Sequence, residues 1–309
     1  MAILAIDLGG TKIAIGLFSK SGELLQKSSA LLDHRVGYEV SDLIKDLVIK
    51  YNQNPDINLE AIGISVPGIS KSQSGKVWAP NIAGWDDFPL IEEIKKLDRN
   101  MPVYMDSDRA CCILGEVWQG NARGTDHALF ITVGTGIGAG ILMNGEIVRG
   151  AHDIAGAIGW MALQRPYTSK YRPCGNFEYY ASGEGIVRLA KEVIINYPHY
   201  QGVLSTIDFT GHDLFEAYLK GDIVAIKVFE ECIVYWGMAA ANLVSIFNPE
   251  KIIFGGGLFG PAIRFLKDIK SEAAKWGQPI SMTRVSFEPS ALGPDAALYG
   301  AAYLALKYI

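Results

Sequence analysis

The feature that most constrains the fold is a unit of three strands that occurs twice along the chain. In the first copy, apolar runs at 3–6, 12–18 and 23–30 predict strands, separated by the turns Gly9-Gly10 and Ser21-Gly22. The second copy has runs at 128–133, 139–143 and 146–149, separated by the glycine-rich turn 134–138 and by Asn144-Gly145. Aligning Asp7 with Gly134 gives an offset of 127 residues, which indicates a duplication at domain scale. Two unrelated hairpins are the alternative interpretation.

Helices and further buried strands follow each copy of this unit. Helical spacing of apolar residues predicts helices at 38–52, 90–98, 108–119, 185–197, 211–220, 222–247, 261–276 and 295–308. Strands are expected at 61–66, 103–105, 251–254 and 284–287, and a loop rich in Ser, Gly and Pro from 67 to 90. This alternation indicates an α/β protein with two similar lobes. We expect an N-terminal lobe at 1–118 and a C-terminal lobe at 119–309, with the final helix at 295–309 a candidate to pack back on the first lobe.

Composition narrows the possible partners. With 28 Lys and Arg against 33 Asp and Glu, the net charge is −5, which argues against a nucleic-acid-binding surface. The 4 cysteines form no CxxC pair, so reduced thiols and a cytoplasmic location are expected. The first residues lack a basic leader, and no apolar run reaches the roughly 18 residues of a membrane span, so no membrane partner is expected.

Three glycine-rich turns follow apolar strands and are candidates to bind phosphate. They are Asp7-Leu-Gly-Gly-Thr-Lys12, Gly134-Thr-Gly-Ile-Gly138 and Gly255-Gly-Gly257. Glycine lets backbone N–H groups approach a phosphate closely. None of the three matches a P-loop or a Rossmann fingerprint, and each alone could be a simple hairpin turn. Together they suggest a nucleotide held between two lobes.

Two aspartates stand at strand ends where a substrate could reach them. Asp7 ends the first strand and could face metal-bound phosphates, with Thr11 and Lys12 suited to phosphoryl oxygens. Its alternative role is to cap the turn. Asp108 lies between a strand and a helix and could act as a general base toward a substrate hydroxyl. Its alternative role is a helix N-cap only.

The motifs together resemble the ROK group of sugar kinases, within the actin/hexokinase/Hsp70 superfamily, nearly from end to end. The matching segments are Asp7–Lys12, Val66-Pro-Gly68, Pro80-Asn81-Ile-Ala-Gly84-Trp85, Asp106-Ser-Asp108, Gly134–Gly140, Glu178-Tyr-Tyr-Ala-Ser-Gly183, Asn248–Leu258 and Leu292–Gly300. The resemblance implies an α/β fold of two duplicated ribonuclease H-like (actin-like ATPase) lobes with a cleft between them.

The resemblance also implies a role for each matching residue. Residues facing the ATP phosphates would be Gly9, Gly10, Thr11, Lys12, Gly134, Thr135 and Gly136, while Gly255, Gly256 and Gly257 would border the adenosine. Asp108 matches the catalytic aspartate. The sugar would meet Gly68, Asn81, Ser107, Asp108, Trp160 and Glu178. Mg²⁺ would accompany ATP, with Asp7 near it through water. Relatives are commonly dimers or tetramers, so a homo-oligomer is expected.

The sequence departs from the family in its sugar and zinc motifs. Where the family has Glu-x-Gly-His, this chain has Ala157-Ile-Gly-Trp160, and its cysteine-rich zinc run keeps only Cys174. The asparagine expected before Asp108 is Ser107. One cysteine cannot build a tetrahedral site, so no zinc is expected, and the nearby His152 is more typical of an ordinary surface or core histidine. Trp160 could stack on a sugar ring or fill the core space of the absent zinc site.

These observations predict ATP-dependent phosphorylation of a sugar hydroxyl, hexose-type and at C6, in a remodelled sugar pocket. A kinase of a glycoside, disaccharide or cyclitol is one alternative, and a non-catalytic sugar-sensing pseudokinase is another. Some relatives are transcriptional regulators with an N-terminal winged helix. We do not expect that role, because this chain starts at the ATPase strand and is acidic.

Overall fold

The structure, a computed structural model, describes residues 2–53, 57–205 and 208–309, which form two compact units. The first unit consists of Met1–Gly124, Ile147–Ala155 and Ser290–Ile309, and the second of Thr125–Glu146 and Gly156–Pro289. The chain therefore leaves the first unit and returns to it more than once. In the described part of the chain, no helix combines the length and apolar character that a membrane crossing requires.

The first unit is built on a five-stranded sheet. Its strands and helices are β1 (Ala2–Leu8), β2 (Lys12–Phe18), β3 (Leu24–Leu31), α1 (Tyr38–Asn52), β4 (Leu59–Val66), β5 (Ile69–Lys71), β6 (Lys76–Trp78), α2 (Leu90–Lys95), β7 (Val103–Ser107) and α3 (Asp108–Gln119). The strand order is β3-β2-β1-β4-β7. The first three strands are antiparallel neighbours, and β1, β4 and β7 run parallel.

The second unit repeats this plan. Its elements are β8 (Ala128–Val133), β9 (Ile137–Met143), β10 (Glu146–Ile147), α4 (Asn176–Ala181), α5 (Gly183–Ile195), α6 (Gly211–Leu219), α7 (Ile223–Phe247), β11 (Lys251–Gly255), α8 (Leu266–Trp276), α9 (Pro279–Arg284) and β12 (Ser286–Pro289). The order β10-β9-β8-β11-β12 again joins an antiparallel meander to two parallel strands. The predicted duplication is therefore confirmed, and the interpretation as unrelated hairpins is wrong.

The last helix, α10 (Ala296–Leu306), packs against α3, β4 and β1 of the first unit. Close approach depends on small residues: a Cβ added to Gly300 would lie 1.6 Å from the Cys111 carbonyl oxygen, and one on Gly63 would lie 1.8 Å from that of Ala301. The opposite face of the sheet is covered by α1, which buries Val40, Ile44 and Val48 at helical spacing. Both faces of the central strands are thus buried, as their continuous apolar sequence predicts.

Some elements differ from the prediction because their sequence signal is short. The predicted loop 67–90 contains the hairpin of β5 and β6, whose three-residue strands are too short to show alternation. Helices α4 and α9 have six residues each and were not predicted. The strand predicted at 146–149 is limited to Glu146–Ile147, and the helix predicted at 261–276 begins with a 3₁₀ turn at Ala262–Phe265.

Candidate functional site

The predicted site residues of the first unit lie at the carboxyl ends of its parallel strands. β1, β4 and β7 lead at these ends into the turn 9–12, into the segment with Gly68 and into Asp108, respectively. Asp7 stands opposite Ser65 in the register of β1 and β4. Because carboxyl ends of parallel strands meet at one edge of a sheet, this topology brings together the candidate phosphate, sugar and catalytic residues of the unit.

Asp7 is a partly buried carboxylate in β1 rather than the cap of a turn. Its Oδ1 accepts a hydrogen bond of 2.7 Å from Ser65 Oγ, while the turn that follows is closed by Gly9 N–H donating to the Lys12 carbonyl over 2.9 Å. Burial raises the pKa of Asp7 to about 6; the Ser65 hydrogen bond opposes this shift, and the negative charge of Asp108 adds to it. The positive charge of the exposed Lys12 also opposes the shift of this pKa. A carboxylate held in this way suits a site that a cation enters with its ligand.

Asp108 is the first residue of α3, and the N-cap of that helix is Ser107. Ser107 Oγ accepts a hydrogen bond from Ala110 N–H over 3.4 Å, so the reading of Asp108 as an N-cap is wrong. Asp108 Oδ1 accepts from Arg109 N–H at 2.8 Å. Burial raises the pKa of Asp108, and the charge and N–H of Arg109 oppose this shift. The buried Ser107 hydroxyl is engaged in capping, and its predicted contact with sugar stays a prediction.

Asn81 and Gly10 are neighbours, which joins the predicted sugar contact to the predicted phosphate turn. A Cβ added to Gly10 would lie 3.2 Å from the Asn81 Cβ. Both residues are exposed, as is Thr11. Within the first unit, a sugar bound by Asn81 would therefore lie beside the backbone of the turn.

Gly68 occupies a position where only glycine fits. Its φ is +81°, and an added Cβ would lie 2.2 Å from the Trp78 carbonyl oxygen. The Gly68 carbonyl accepts a hydrogen bond of 3.4 Å from Arg109 Nη2. Arg109 follows Asp108, so this hydrogen bond connects the segment around Gly68, a predicted sugar contact, to the start of α3.

In the second unit, the topology brings the two remaining glycine turns together. β8 and β11 run parallel, with Gly255 opposite Thr132. A Cβ on Gly256 would lie 2.5 Å from the carbonyl oxygen of Val133, the residue before Gly134. The turn 134–136 is closed by Gly134 N–H donating to the Gly136 carbonyl at 2.9 Å. The phosphate and adenosine candidates of this unit therefore share one edge, as the equivalent positions do in the first unit.

Glu178, on α4, lies against the turn 134–136. Its Oε2 accepts a hydrogen bond of 2.7 Å from Ile137 N–H, and an added Cβ on either Gly136 or Gly159 would lie 2.8 Å from the same oxygen. Burial raises the pKa of Glu178, and the Ile137 hydrogen bond and the charge of Arg188 oppose this shift. The predicted sugar contact thus lies next to a predicted phosphate turn.

Trp160 is 58% exposed, so the interpretation as a core tryptophan is wrong. It ends a 3₁₀ turn at Ile158–Trp160, and its backbone packs so closely on Gly175 that a Cβ there would lie 2.4 Å from the Trp160 Cα. Ala157, which replaces the family's sugar-binding glutamate, starts the same turn. The indole face is therefore accessible to a ligand in this unit, and stacking on a sugar stays a prediction.

A lysine in a tyrosine cluster occupies the segment where the family has its zinc run. Lys170 Nζ lies 4.9 Å from the ring centroid of Tyr180 and 5.1 Å from that of Tyr179, and it donates to Glu192 Oε1 at 2.9 Å. Cation–π contacts of this kind stabilise by about 0.5–2 kcal/mol each. Within residues 2–53, 57–205 and 208–309, no three His, Cys, Asp or Glu side chains are grouped as a metal site would need.

Two polar partners of the site were not identified from the sequence. Ser65 carries a partial signal, because a serine within the apolar run 61–66 is a polar residue that must find a partner, although the sequence does not indicate which one. Arg149 carries no such signal. Its Nε and Nη2 both donate to Asp106 Oδ2, at 2.9 and 2.6 Å. The buried Asp106 precedes Ser107 at the end of β7 and Asp108 at the start of α3.

The residues present fit a nucleotide triphosphate with its magnesium ion. An added Cβ on Gly134 or Gly257 would meet nothing within 4 Å, so the backbone at both turns faces open space. Exposed backbone N–H groups in glycine turns can bind phosphate oxygens, and a carboxylate such as Asp7 is a hard oxygen ligand suited to Mg²⁺ or its water shell.

Two copies of one sheet topology, each with candidate site residues at its carboxyl edge, define a protein with the two-lobe actin-like ATPase fold. Residues 3–308 match the ROK family, and the chain belongs to that family.

Individual relatives match over nearly their whole length. A glucokinase from Halalkalibacterium halodurans is 30% identical, covering 97% of this chain and 94% of its own. A beta-glucoside kinase from Listeria monocytogenes is 28% identical, covering 98% and 97%. A crystal structure of a ROK family glucokinase from Streptomyces griseus, in complex with glucose and AMPPNP, superposes with a TM-score of 0.80 at 29% identity and covers 99% of this chain and 100% of that one.

Proposed function

We propose that this member of the ROK family is an ATP-dependent sugar kinase that phosphorylates a hexose-type hydroxyl, the primary one at C6. The observation that carries this proposal is the position of Asp108 at the sheet edge that also holds the turn 9–12 and Asn81. The relatives named glucokinase and beta-glucoside kinase, and the glucose and AMPPNP in the related crystal structure, support the same chemistry.

In the proposed reaction, Asp108 orients the acceptor hydroxyl and takes its proton as the oxygen attacks the γ-phosphorus of ATP. The bond between the γ-phosphorus and the β–γ bridging oxygen breaks, and ADP leaves with that oxygen. The raised pKa of Asp108 favours its role as proton acceptor, because a general base works best when its pKa approaches the working pH. The hydrogen bond from Arg109 N–H to Oδ1 fixes the carboxylate. Oδ2 is then the oxygen that we assign to the hydroxyl.

The glycine turns and Lys12 would stabilise the charge on the phosphoryl group. The Gly9 and Gly134 N–H groups close the two turns, so the backbone N–H groups of residues 10–11 and 135–136 are the ones assigned to phosphate oxygens. The Lys12 ammonium is exposed at the start of β2. When bound, Mg²⁺ would neutralise phosphate charge, with Asp7 holding its water shell. Residues 255–257 would border the adenosine.

On the acceptor side, we assign sugar hydroxyl contacts to Asn81 and Glu178 and a stacking contact to Trp160. The pocket is remodelled relative to the family because Ala157 and Trp160 offer no carboxylate or imidazole to a hydroxyl. A site that lacks such partners discriminates differently among sugars, by factors of up to roughly 10⁴. We also propose that the protein holds no zinc and works as a homo-oligomer.

The test is the Asp108→Asn variant, assayed by coupled ADP release over a panel of hexoses, amino sugars and glucosides. Loss of the general base is expected to lower kcat about 10²–10⁴-fold while AMPPNP affinity, measured by calorimetry, stays unchanged. Asp98→Asn is the matched control, because the exposed Asp98 also accepts a backbone N–H, that of Asn100 at 2.8 Å.

Undiminished turnover by Asp108→Asn would refute the role of Asp108. Wild-type protein that binds both AMPPNP and a sugar but releases no ADP would instead identify a sugar-sensing pseudokinase. These two outcomes are distinguishable because binding and turnover are measured separately.

A further inference from the structure

A cavity of about 460 Å³ opens beside Asn81 in the first unit and has no role in the chemistry described so far. Its lining combines Gly10, Thr11 and Asn81 of the proposed site with the loop between β3 and α1. That loop, residues 31–36, matches none of the family motifs in the sequence.

The loop is held at both ends by segments of the proposed site. Leu32 N–H donates to the Thr11 carbonyl at 2.8 Å, and Gly37 N–H donates to the Ala83 carbonyl at 2.8 Å. The Gly37 carbonyl in turn accepts from the Trp85 indole N–H at 2.9 Å. The cavity is therefore attached to the turn 9–12 on one side and to the segment after Asn81 on the other, so its position beside both is fixed.

The cavity presents apolar side chains to solvent. Leu31 is 71% exposed and Val36 is 47% exposed, and Leu32 and Ala83 complete the aliphatic part of the lining. Asp33, His34 and Arg35 also line the cavity, and Arg35 Nη1 donates to the Leu32 carbonyl at 3.1 Å. Grouped exposed aliphatic residues at a concave surface favour an apolar ligand.

The backbone of the loop is strained where it forms the cavity. Asp33 and His34 are consecutive non-glycine residues in the left-handed region, with φ of 48° and 60°. Each such residue carries an energetic cost, and strain of this kind is concentrated at ligand sites. Glycine at these two positions would adopt the same backbone conformation without strain, as Gly37 does with its φ of 51°.

We infer that the acceptor is a glycoside, and that this cavity binds its apolar, aryl-type aglycone while Asn81 binds the sugar ring. The inference rests on the proposed function and names its substrate class. Although Asp33, His34 and Arg35 also line the cavity, a second sugar ring would place some of its hydroxyls against the aliphatic Leu31, Leu32 and Val36, which offer them no side-chain partner. An aromatic ring would instead cover the aliphatic side chains and remove their surface from water.

The experiment compares phenyl β-glucoside with methyl β-glucoside, which differ only in the aglycone. Both kcat/KM by ADP release and the dissociation constant by calorimetry are measured for wild type, Leu31→Asn and Leu219→Asn. Leu219 is 56% exposed on α6 and lies outside the cavity, so Leu219→Asn controls for the same chemical change at another exposed site. Val36→Thr, which keeps the side-chain shape, provides a second test.

The wild type is expected to prefer the phenyl glucoside by at least about tenfold, the discrimination typical of one apolar group in a pocket. Leu31→Asn should lower this phenyl-to-methyl ratio about three- to tenfold, and Leu219→Asn should not change it. Equal values for the two glucosides in wild type, or a ratio unchanged in Leu31→Asn, would overturn the inference while ADP release still supports a kinase. Phenyl glucoside binding that depends on Leu31 without ADP release would support the cavity and refute the kinase.

Discussion

Replacing Asp7 by asparagine should make the protein more stable at neutral pH while impairing its proposed function. Asp7 is partly buried in β1, with its Oδ1 accepting a hydrogen bond from Ser65 Oγ. An amide oxygen can accept the same hydrogen bond, so Asp7→Asn removes the negative charge and keeps the packing. The substitution also removes the repulsion between Asp7 and Asp108.

The expected gain follows from the pKa of Asp7, which burial raises from 3.8 to about 6. At about 1.36 kcal/mol per pKa unit, this difference corresponds to about 3 kcal/mol, an upper limit because water and ions screen part of it. Because the folded state has the higher pKa, it binds more protons than the unfolded state between about pH 4 and pH 6. The free energy of unfolding therefore falls as pH rises from about 4 to about 6 and Asp7 ionises. Above about pH 6 the full destabilisation by the buried charge is present.

The assay is urea unfolding of wild type and Asp7→Asn at about pH 5 and about pH 8, without nucleotide or Mg²⁺. About half of the 3 kcal/mol cost should appear between these two conditions, so the advantage of Asp7→Asn should grow by about 1.5 kcal/mol. Asp86→Asn, at an exposed position, controls for the loss of one negative charge. A variant less stable than wild type at pH 8, or one with an unchanged pH dependence, would refute the reasoning.

Three further predictions concern stability. Glu116→Ala should lower the free energy of unfolding by about 3–5 kcal/mol in urea titrations, because the fully buried carboxylate accepts hydrogen bonds from Asn121 N–H, Ser290 Oγ and Leu292 N–H; the exposed Glu92→Ala is the control. Because we propose that the protein holds no zinc, EDTA should leave the melting temperature unchanged, and bound zinc in elemental analysis would contradict this prediction. Lys170→Met should lower the melting temperature, because it removes the contacts with the tyrosine rings and with Glu192.

The fold could be predicted because its main signal is local and repeated. Each meander is marked by apolar runs of strand length between glycine turns, and these turns require glycine for geometric reasons that any chain shares. The parallel strands β4 and β11 are short continuous apolar runs, which are typical of strands buried on both faces. Element bounds were less predictable where the element is short, as in β5, β6 and α4.

The glycines and aspartates of the candidate site could be proposed from the sequence, but the residues that they contact could not. The hydrogen bond between Asp7 and Ser65 depends on the register of two strands 58 residues apart in sequence, and no local pattern encodes that register. The same holds for the pair of Arg149 and Asp106. The exposure of Trp160 also depends on packing, because an aromatic residue at a motif position is equally compatible with a core and with a surface.

The carboxyl edge of the first unit carries an unfavourable charge arrangement that the proposed ligand would relieve. Burial pushes both Asp7 and Asp108 toward the neutral form, and the positive charges of Lys12 and Arg109, respectively, oppose this shift without reversing it. A structure selected for stability alone would replace such a carboxylate, as Asp7→Asn is expected to show. The destabilisation by Asp7 has an explanation if the carboxyl edge of this sheet binds a ligand that brings its own cation. A nearby divalent cation favours the ionised carboxylate. The same kind of burial raises the pKa of Asp108, as the proposed role of general base requires.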